Sequence, residues 1–209
     1  MRDLVAELGR VIDTAILSVP APQGSRRPST KAIYGALKRN VRPVVEKHFG
    51  GPVLCRYSGC PEGPAKSYSK TPSRVFKVLE YLWDFSLSRY AIPQAIHDPQ
   101  ATPIKAGKFE PLFVAESELG TKNETCRDLL KLLEARASVR CLIYRQPKRA
   151  SERQQFEARM VRVMLGHAHF LPVQGIWLFV GLTCASRKMG CSVSTFSREE
   201  NALVRVEVA

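Results

Sequence analysis

Residues 113–120 read FVAESELG, an apolar run that ends in two carboxylates one residue apart, Glu116 and Glu118. Strand side chains alternate between faces, so both glutamates project to the same side, with Leu112 and Val114 behind them. Two like charges held together cost free energy unless water, a proton or a cation relieves them, and a divalent cation does so most completely. A strand running out into solvent, where both glutamates simply hydrate, satisfies the same stretch. The choice between these readings falls to the rest of the chain.

At 209 residues the chain is long enough to bury a substantial core, and a single domain over 1–209 is expected. With 44% hydrophobic and 24% charged residues it has the composition of a soluble globular protein rather than a disordered one. The 32 Lys and Arg residues outnumber 19 Asp and Glu, for a formal net charge of +13. Such an excess favours a polyanionic partner, through phosphate attraction and counterion release. A ribosome-associated or anionic-lipid-binding protein would share it, so charge names the class of partner and not the reaction.

The opening MRDLVAELGRVIDTAILSVPAP spaces Leu4, Val5, Leu8, Val11, Ile12, Ala15 and Ile16 as the apolar face of a helix, not as a secretory signal. The most apolar stretch, HFLPVQGIWLFVGLTCA, is broken by Pro172, Gln174, Gly175 and Gly181 and reads as a loop before a buried strand, with no membrane partner implied. Cysteines at 55, 60, 126, 141, 184 and 191 form no C-x-x-C pair, which fits a reducing, cytoplasmic setting. Cys126 and Cys141 fall on apolar faces as core residues; Cys55, Cys60 and His48 lack an evident fourth zinc ligand. His97-Asp98 lacks a helical partner histidine, and His167 and His169 lack a third ligand, so loop or core roles are expected for them.

A Pro/Ser/Arg linker follows the first helix, so that 1–29 forms an N-terminal helix and linker. A second helix is expected from about Thr30 to just before Gly50, with a strand over 53–57. Residues 74–87 have strand composition, and a Pro-rich loop leads to the strand with the two glutamates. Thr121 and Glu124 make a capping box, followed by Cys126, Leu129, Leu130, Leu133 and Ala137 on one helical face. VRCLIYR is then a short apolar strand, and strand–helix–strand succession implies a parallel pair. A helix with Phe156, Met160, Val163 and Met164 facing inward and strands at GIWLFVGLT and NALVRVEV complete residues 146–209. The class is α/β around a mixed sheet flanked by helices.

In EYLWDFSL, Asp84 and Glu80 share one face of a strand. Should that strand pair with its successor, Asp84, Glu116 and Glu118 form a three-carboxylate cluster. Hard cations such as Mg²⁺ take that kind of site and keep waters that a substrate phosphate can displace. In a basic protein the chemistry suggested is metal-assisted phosphodiester hydrolysis, with the metal polarising the phosphoryl oxygen and lowering the pKa of the attacking water.

WDFSL, then PLFVAESELG, then DLLKLLEARASVRCLIYR resembles the restriction-endonuclease-like, or PD-(D/E)xK, phosphodiesterase superfamily in its Glu-x-Glu variant. The resemblance covers roughly residues 30–145 and implies that superfamily's αβββαβ core, with an extra N-terminal helix and C-terminal strands. It implies Asp84 and Glu116 as metal-binding acids, the main-chain carbonyl of Ser117 as a further ligand, and Glu118 where the family more often has lysine. Glu46 falls where many members carry an additional acid, with Glu80 as its competitor. Glu118 cannot supply positive charge, but it can hold a metal or accept a proton. A lysine recovered from the following helix points at Lys131, with Lys122 as a weaker claimant, although Lys131 lies away from that helix's apolar face. Mg²⁺ or Mn²⁺ is the implied cofactor.

Arg26, Arg27, Lys31, Lys38, Arg39, Arg42 and Lys47 face only Glu46 between positions 26 and 47. Such a run is commonly just a solvated face; beside a nuclease site it suits the phosphate backbone. Arg145, Lys148 and Arg149 add charge near the same sheet end. Trp83 and Trp177 read as packed residues rather than stacking platforms. The expected function is a Mg²⁺-dependent endonuclease acting on DNA, alone, as a homodimer or within a larger defence or processing complex. The alternative is a non-catalytic nucleic-acid-binding or assembly protein that retains the fold.

Overall fold

Leu112–Ala115 and Val139–Tyr144 are buried on both faces, the pattern of strands at the centre of a sheet. A computed structural model of the protein describes residues 2–20, 29–57, 83–88, 111–167, 175–185 and 188–207. Its helices are α1 (Arg2–Leu17), α2 (Thr30–Phe49), α3 (Lys122–Glu134) and α4 (Ala150–Gly166). Its strands are β1 (Leu54–Tyr57), β2 (Phe85–Ser88), β3 (Pro111–Glu118), β4 (Val139–Arg145), β5 (Ile176–Ala185), β6 (Lys188–Ser197) and β7 (Ala202–Arg205).

Among the described residues the strands form one seven-stranded sheet in chain order, β1 to β7. β1, β2 and β3 run antiparallel as a meander. β3, β4 and β5 are parallel, and β6 and β7 return antiparallel. Each helix connection after β3 therefore brings the chain back to begin the next strand in the same direction.

Helices cover both faces of the sheet. α1 and α2 lay Leu8, Ile12, Ile33, Leu37 and Val41 against Phe113, Ala115, Cys141, Ile143, Leu178 and Val180. α3 and α4 lay Leu129, Leu132, Leu133, Phe156 and Met160 against Val114, Leu142, Tyr144, Trp177 and Phe179. Alternation along β3 and β4 thus feeds two separate cores. α3 begins with the expected capping box: Thr121 Oγ1 accepts from Glu124 N at 3.2 Å, and Glu124 Oε2 accepts from Thr121 N at 3.1 Å. At its other end, buried Arg140 donates from Nε to Ala135 O at 2.8 Å and stacks over Trp177 at 5.1 Å. The arginine thereby satisfies a carbonyl just past the helix C-terminus. Trp177 and the buried Cys126 and Cys141 are core residues, as expected, and Trp83 packs against the α3/α4 core.

Three local expectations need correction. β2 starts at Phe85, so Asp84 sits in a bend just before the strand and not within it; residues 74–82, including Glu80, lie outside the described residues. Leu130 is exposed and Leu132 is buried, because the apolar stripe of α3 runs through Leu129, Leu132 and Leu133. The sequence reading also missed β6, whose run KMGCSVSTFS is rich in small polar residues. It pairs along its length with the apolar β5, and partner strands rather than its own composition extend it. No helix among the described residues is long and apolar enough to cross a membrane.

Candidate active site

The carboxyl ends of parallel strands are the usual place for a ligand crevice in an open α/β sheet. At that end of β3 the β2–β3 pairing stops at Phe85 and Ala115, which leaves Asp84 and Glu116 as the next residue on either side. Asp84 is tied there by its side chain. Ser117 N, 33 residues further along the chain, donates to Asp84 Oδ2 at 3.1 Å, continuing the β2–β3 ladder after backbone pairing has stopped. Tyr34 Oη donates to the same oxygen at 2.7 Å from α2. Burial, reinforced by the adjacent Asp84 charge, pushes the Tyr34 phenol far above its ordinary value, so it remains a donor. The Ser117 hydroxyl lies near enough to oppose that shift in part, yet it is buried and finds no hydrogen bond of ordinary geometry among the described residues.

Glu116 projects from the last buried position of β3 and is only 2% exposed. Burial pushes its carboxyl up to about 8, the Asp84 charge adds to the rise, and Lys131 opposes it. Lys131 Nζ lies 3.5 Å from Glu116 Oε2 and 2.7 Å from Asp128 Oδ1. Asp128 is also raised, first by burial and against the pull of Lys131. Burial disfavours the Lys131 ammonium, but its hydrogen bond to Asp128 and the charge of Glu116 outweigh this and raise its pKa. The result is a partly buried group of Asp84, Glu116, Asp128 and Lys131, with Tyr34 behind it.

This assembly differs from the expected one. Glu118 Oε1 accepts from Gly120 N in the turn after β3, while the charges acting most strongly on Glu116 are Asp84, Lys131 and Asp128. Among the described residues no three His, Cys, Asp or Glu side chains come together closely enough to hold a metal ion. The Asp84–Glu116–Glu118 cluster is therefore not assembled. Lys131 does reach the site despite lying off the apolar stripe of α3, because its long stem carries the ammonium back across Asp128. Lys122 instead sets its ammonium 5.9 Å over the Phe156 ring.

Asp128 and Tyr34 were missed. Asp128 lies three residues after buried Thr125 and four before buried Leu132, a polar position in line with the core face of α3. That spacing, with Lys131 one turn on, was the available signal. Tyr34 gave none, since an aromatic residue on the inner face of a helix ordinarily packs.

Glu46 is corrected as an additional acid. Its Oε1 accepts from Arg42 Nε at 2.9 Å and from Val53 N at 3.0 Å. It stands three turns beyond Tyr34 on α2, roughly 18 Å along the axis. The Val53 N–H, with help from Arg42, holds its carboxyl below the usual range against a smaller effect of burial. It joins the end of α2 to the entry of β1.

Of the basic run, Arg26 and Arg27 lie outside the described residues. On α2, Lys31 and Lys38 fall within about 60° of Tyr34 around the helix and about 6 Å along its axis, so they border the site's flank. Arg42 lies on the same side but about 12 Å along the axis, where it pairs with Glu46. Arg39 faces outward and is exposed. Lys47 lies toward α1, where its Nζ meets Glu7 Oε1 at 3.0 Å. Arg145 and Lys148 are exposed at and just after the end of β4, and Arg149 pairs with Glu152 at 3.6 Å. His167 caps the end of α4, and His169, His97, Asp98 and Cys60 lie outside the described residues.

Comparison with protein-family models, curated proteins and solved structures finds no match to this chain.

Proposed function

We propose that the chain is a divalent-cation-dependent phosphodiesterase of the restriction-endonuclease-like type, an endonuclease acting on DNA. The observation that carries the reading is the approach of Asp84 to Glu116 just past the paired end of the β2–β3 ladder, where Ser117 N ties Asp84 down and its charge acts on Glu116, with the Lys131 ammonium between Glu116 and Asp128. The order α2-β1-β2-β3-α3-β4, with an antiparallel meander followed by a parallel strand, agrees with the αβββαβ core of that superfamily.

The donor set suits Mg²⁺ or Mn²⁺ better than a closed cage. Mg²⁺ is commonly held by one or two carboxylates, completed by waters and substrate phosphate, so the lack of a three-ligand group among the described residues is compatible with it. Asp84 and Glu116 would hold the ion, with the Ser117 carbonyl as a further donor. When bound, such an ion supplies Lewis acidity toward the phosphoryl oxygen and lowers the pKa of water. Glu116 must first give up the proton that its burial favours. Lys131 offers fixed positive charge to the phosphate oxygens, and Asp128 orients that ammonium. Lys31 and Lys38 on the adjoining flank of α2 suit the nucleic-acid backbone, and Arg42 extends that charge further along the helix.

A second reading has its own observation. Lys131 already compensates Glu116 and Asp128 without any added ion, as expected of a binding or assembly protein that keeps the fold without catalysis. Supercoiled plasmid incubated with Mg²⁺ and wild type, Asp84→Asn or Glu116→Gln decides between them. Nicking by wild type that falls at least about 100-fold in both variants supports hydrolysis. Tight plasmid binding with no cleavage, or equal cleavage by all three proteins, overturns it.

A further inference from the structure

Asp84 is held by no regular element, since it lies in the bend before β2. Among the described residues two donors fix its carboxylate, and both reach the same oxygen: Tyr34 Oη at 2.7 Å from α2 and Ser117 N at 3.1 Å from β3. A carboxylate oxygen has two in-plane lone-pair directions, so these donors fill Oδ2. Neither bond involves Oδ1. Tyr34 has little freedom to turn aside: it is 2% exposed and its ring packs 5.8 Å from Phe85 and 6.1 Å from Tyr57.

We propose that Tyr34 is a positioning residue that limits Asp84 to coordination through Oδ1 alone, and thereby sets the ion preference of the site toward Mg²⁺ and Mn²⁺ over Ca²⁺. The inference rests on the metal-dependent reading above and adds to it a determinant of ion selectivity. Ca²⁺ gathers six to eight oxygens and readily uses both oxygens of one carboxylate, whereas Mg²⁺ requires near-octahedral geometry with fewer protein donors. An Asp84 whose second oxygen is committed to hydrogen bonds denies Ca²⁺ a ligand and costs Mg²⁺ nothing. Removing the phenol hydroxyl frees one lone pair of Oδ2, and it also loosens a side chain that, among the described residues, Ser117 N alone would then restrain. Hydrogen-bonded partners behind a metal ligand commonly tune affinity about 10- to 100-fold.

The test is calorimetric titration of the full chain with MnCl₂, MgCl₂ and CaCl₂ in separate experiments, for wild type and Tyr34→Phe, each shown by thermal melting to be folded at the assay temperature. Wild type should bind Mn²⁺ at least about 10-fold more tightly than Ca²⁺, and Tyr34→Phe should narrow that ratio about 10-fold by losing Mn²⁺ affinity and gaining Ca²⁺ affinity. A tyrosine that merely packs would lower the melting temperature and leave the ratio unchanged. Tyr34→Met keeps apolar bulk and provides the same loss of donor should the phenylalanine variant fail to fold. A wild type that prefers Ca²⁺, or an unchanged ratio in a variant that still binds Mn²⁺, overturns the role of Tyr34 and leaves the metal-dependent reading standing. A wild type that takes up none of the three ions overturns both.

Discussion

Lys131 Nζ lies 3.5 Å from Glu116 Oε2 although Lys131 is on α3 and Glu116 is on β3. The ammonium also lies 2.7 Å from Asp128 Oδ1, so a single cation from a helix spans a strand carboxylate and a helix carboxylate. Its side chain is 50% exposed, which leaves it in reach of an incoming phosphate as well as of Glu116. Fixed positive charge at that point lowers the Glu116 pKa against burial and the Asp84 charge, which raise it.

Replacing Lys131 by Met should therefore act on both chemistry and titration. Single-turnover plasmid cleavage should slow by about 100-fold. The rising limb of the pH–rate profile should move to higher pH, because Glu116 then ionises with less help. A rate loss with the pH profile unmoved would separate Lys131 from Glu116 function. Asp128→Asn, which removes the nearer of the ammonium's two carboxylate partners, should slow cleavage less than Lys131→Met in the same assay.

Glu116 also makes a stability prediction. Its carboxyl is raised from 4.5 to about 8, so the folded protein binds a proton there that the unfolded chain has released. Stability from this group is fully present below about 4.5 and falls as pH rises toward about 8. Glu116→Gln removes that slope. Thermal melts in metal-free buffer should show the variant gaining on wild type across this interval, by on the order of 10 °C at its upper end. Parallel melting curves for the two proteins would mean that Glu116 is ionised throughout.

For Glu46 the expectation is structural. Glu46→Ala leaves Val53 N without this acceptor and removes one of the contacts of Arg42, so it should cost about 1–2 kcal/mol of stability and leave cleavage per folded molecule unchanged. The Glu46 carboxyl is held below 4.5 in the folded state, so its contribution is present above that pH and is lost as pH falls through the lowered value. Urea melts of wild type and variant should differ at neutral pH and converge in acid. Loss of cleavage without loss of stability would return Glu46 to the active site.

On the basic flank, Lys31→Glu and Arg39→Glu test the Tyr34-side and outward positions of α2. Each should weaken duplex binding and reduce the slope of log affinity against log salt by about 1 for every phosphate no longer neutralised. Lys47→Glu should change that slope less, since Lys47 lies toward α1 and pairs with Glu7. Fluorescence anisotropy over a salt series measures all three. Equal slopes for wild type, Lys31→Glu and Arg39→Glu would move the nucleic-acid surface off α2.

What the sequence determined by itself were the features set within a few residues of chain. The apolar spacing of α1, the Thr121–Glu124 capping box, the doubly buried runs of β3 and β4 and the parallel step between them depend on periodicity and on contacts over one or two turns. Asp84 and Glu116 were legible as individual acids for the same reason: each interrupts an apolar run at the edge of a strand. Tertiary structure alone decided which groups would meet. Glu118 bends to Gly120 N, Asp128 and Lys131 swing in from α3, Tyr34 reaches Asp84 from 50 residues away, and Glu46 is bound at the far end of α2. Each outcome is a competition between hydrogen-bond partners made available only once helices are packed on both faces of the sheet. Residue spacing states where a side chain starts; the packed partners determine where its charged end comes to rest.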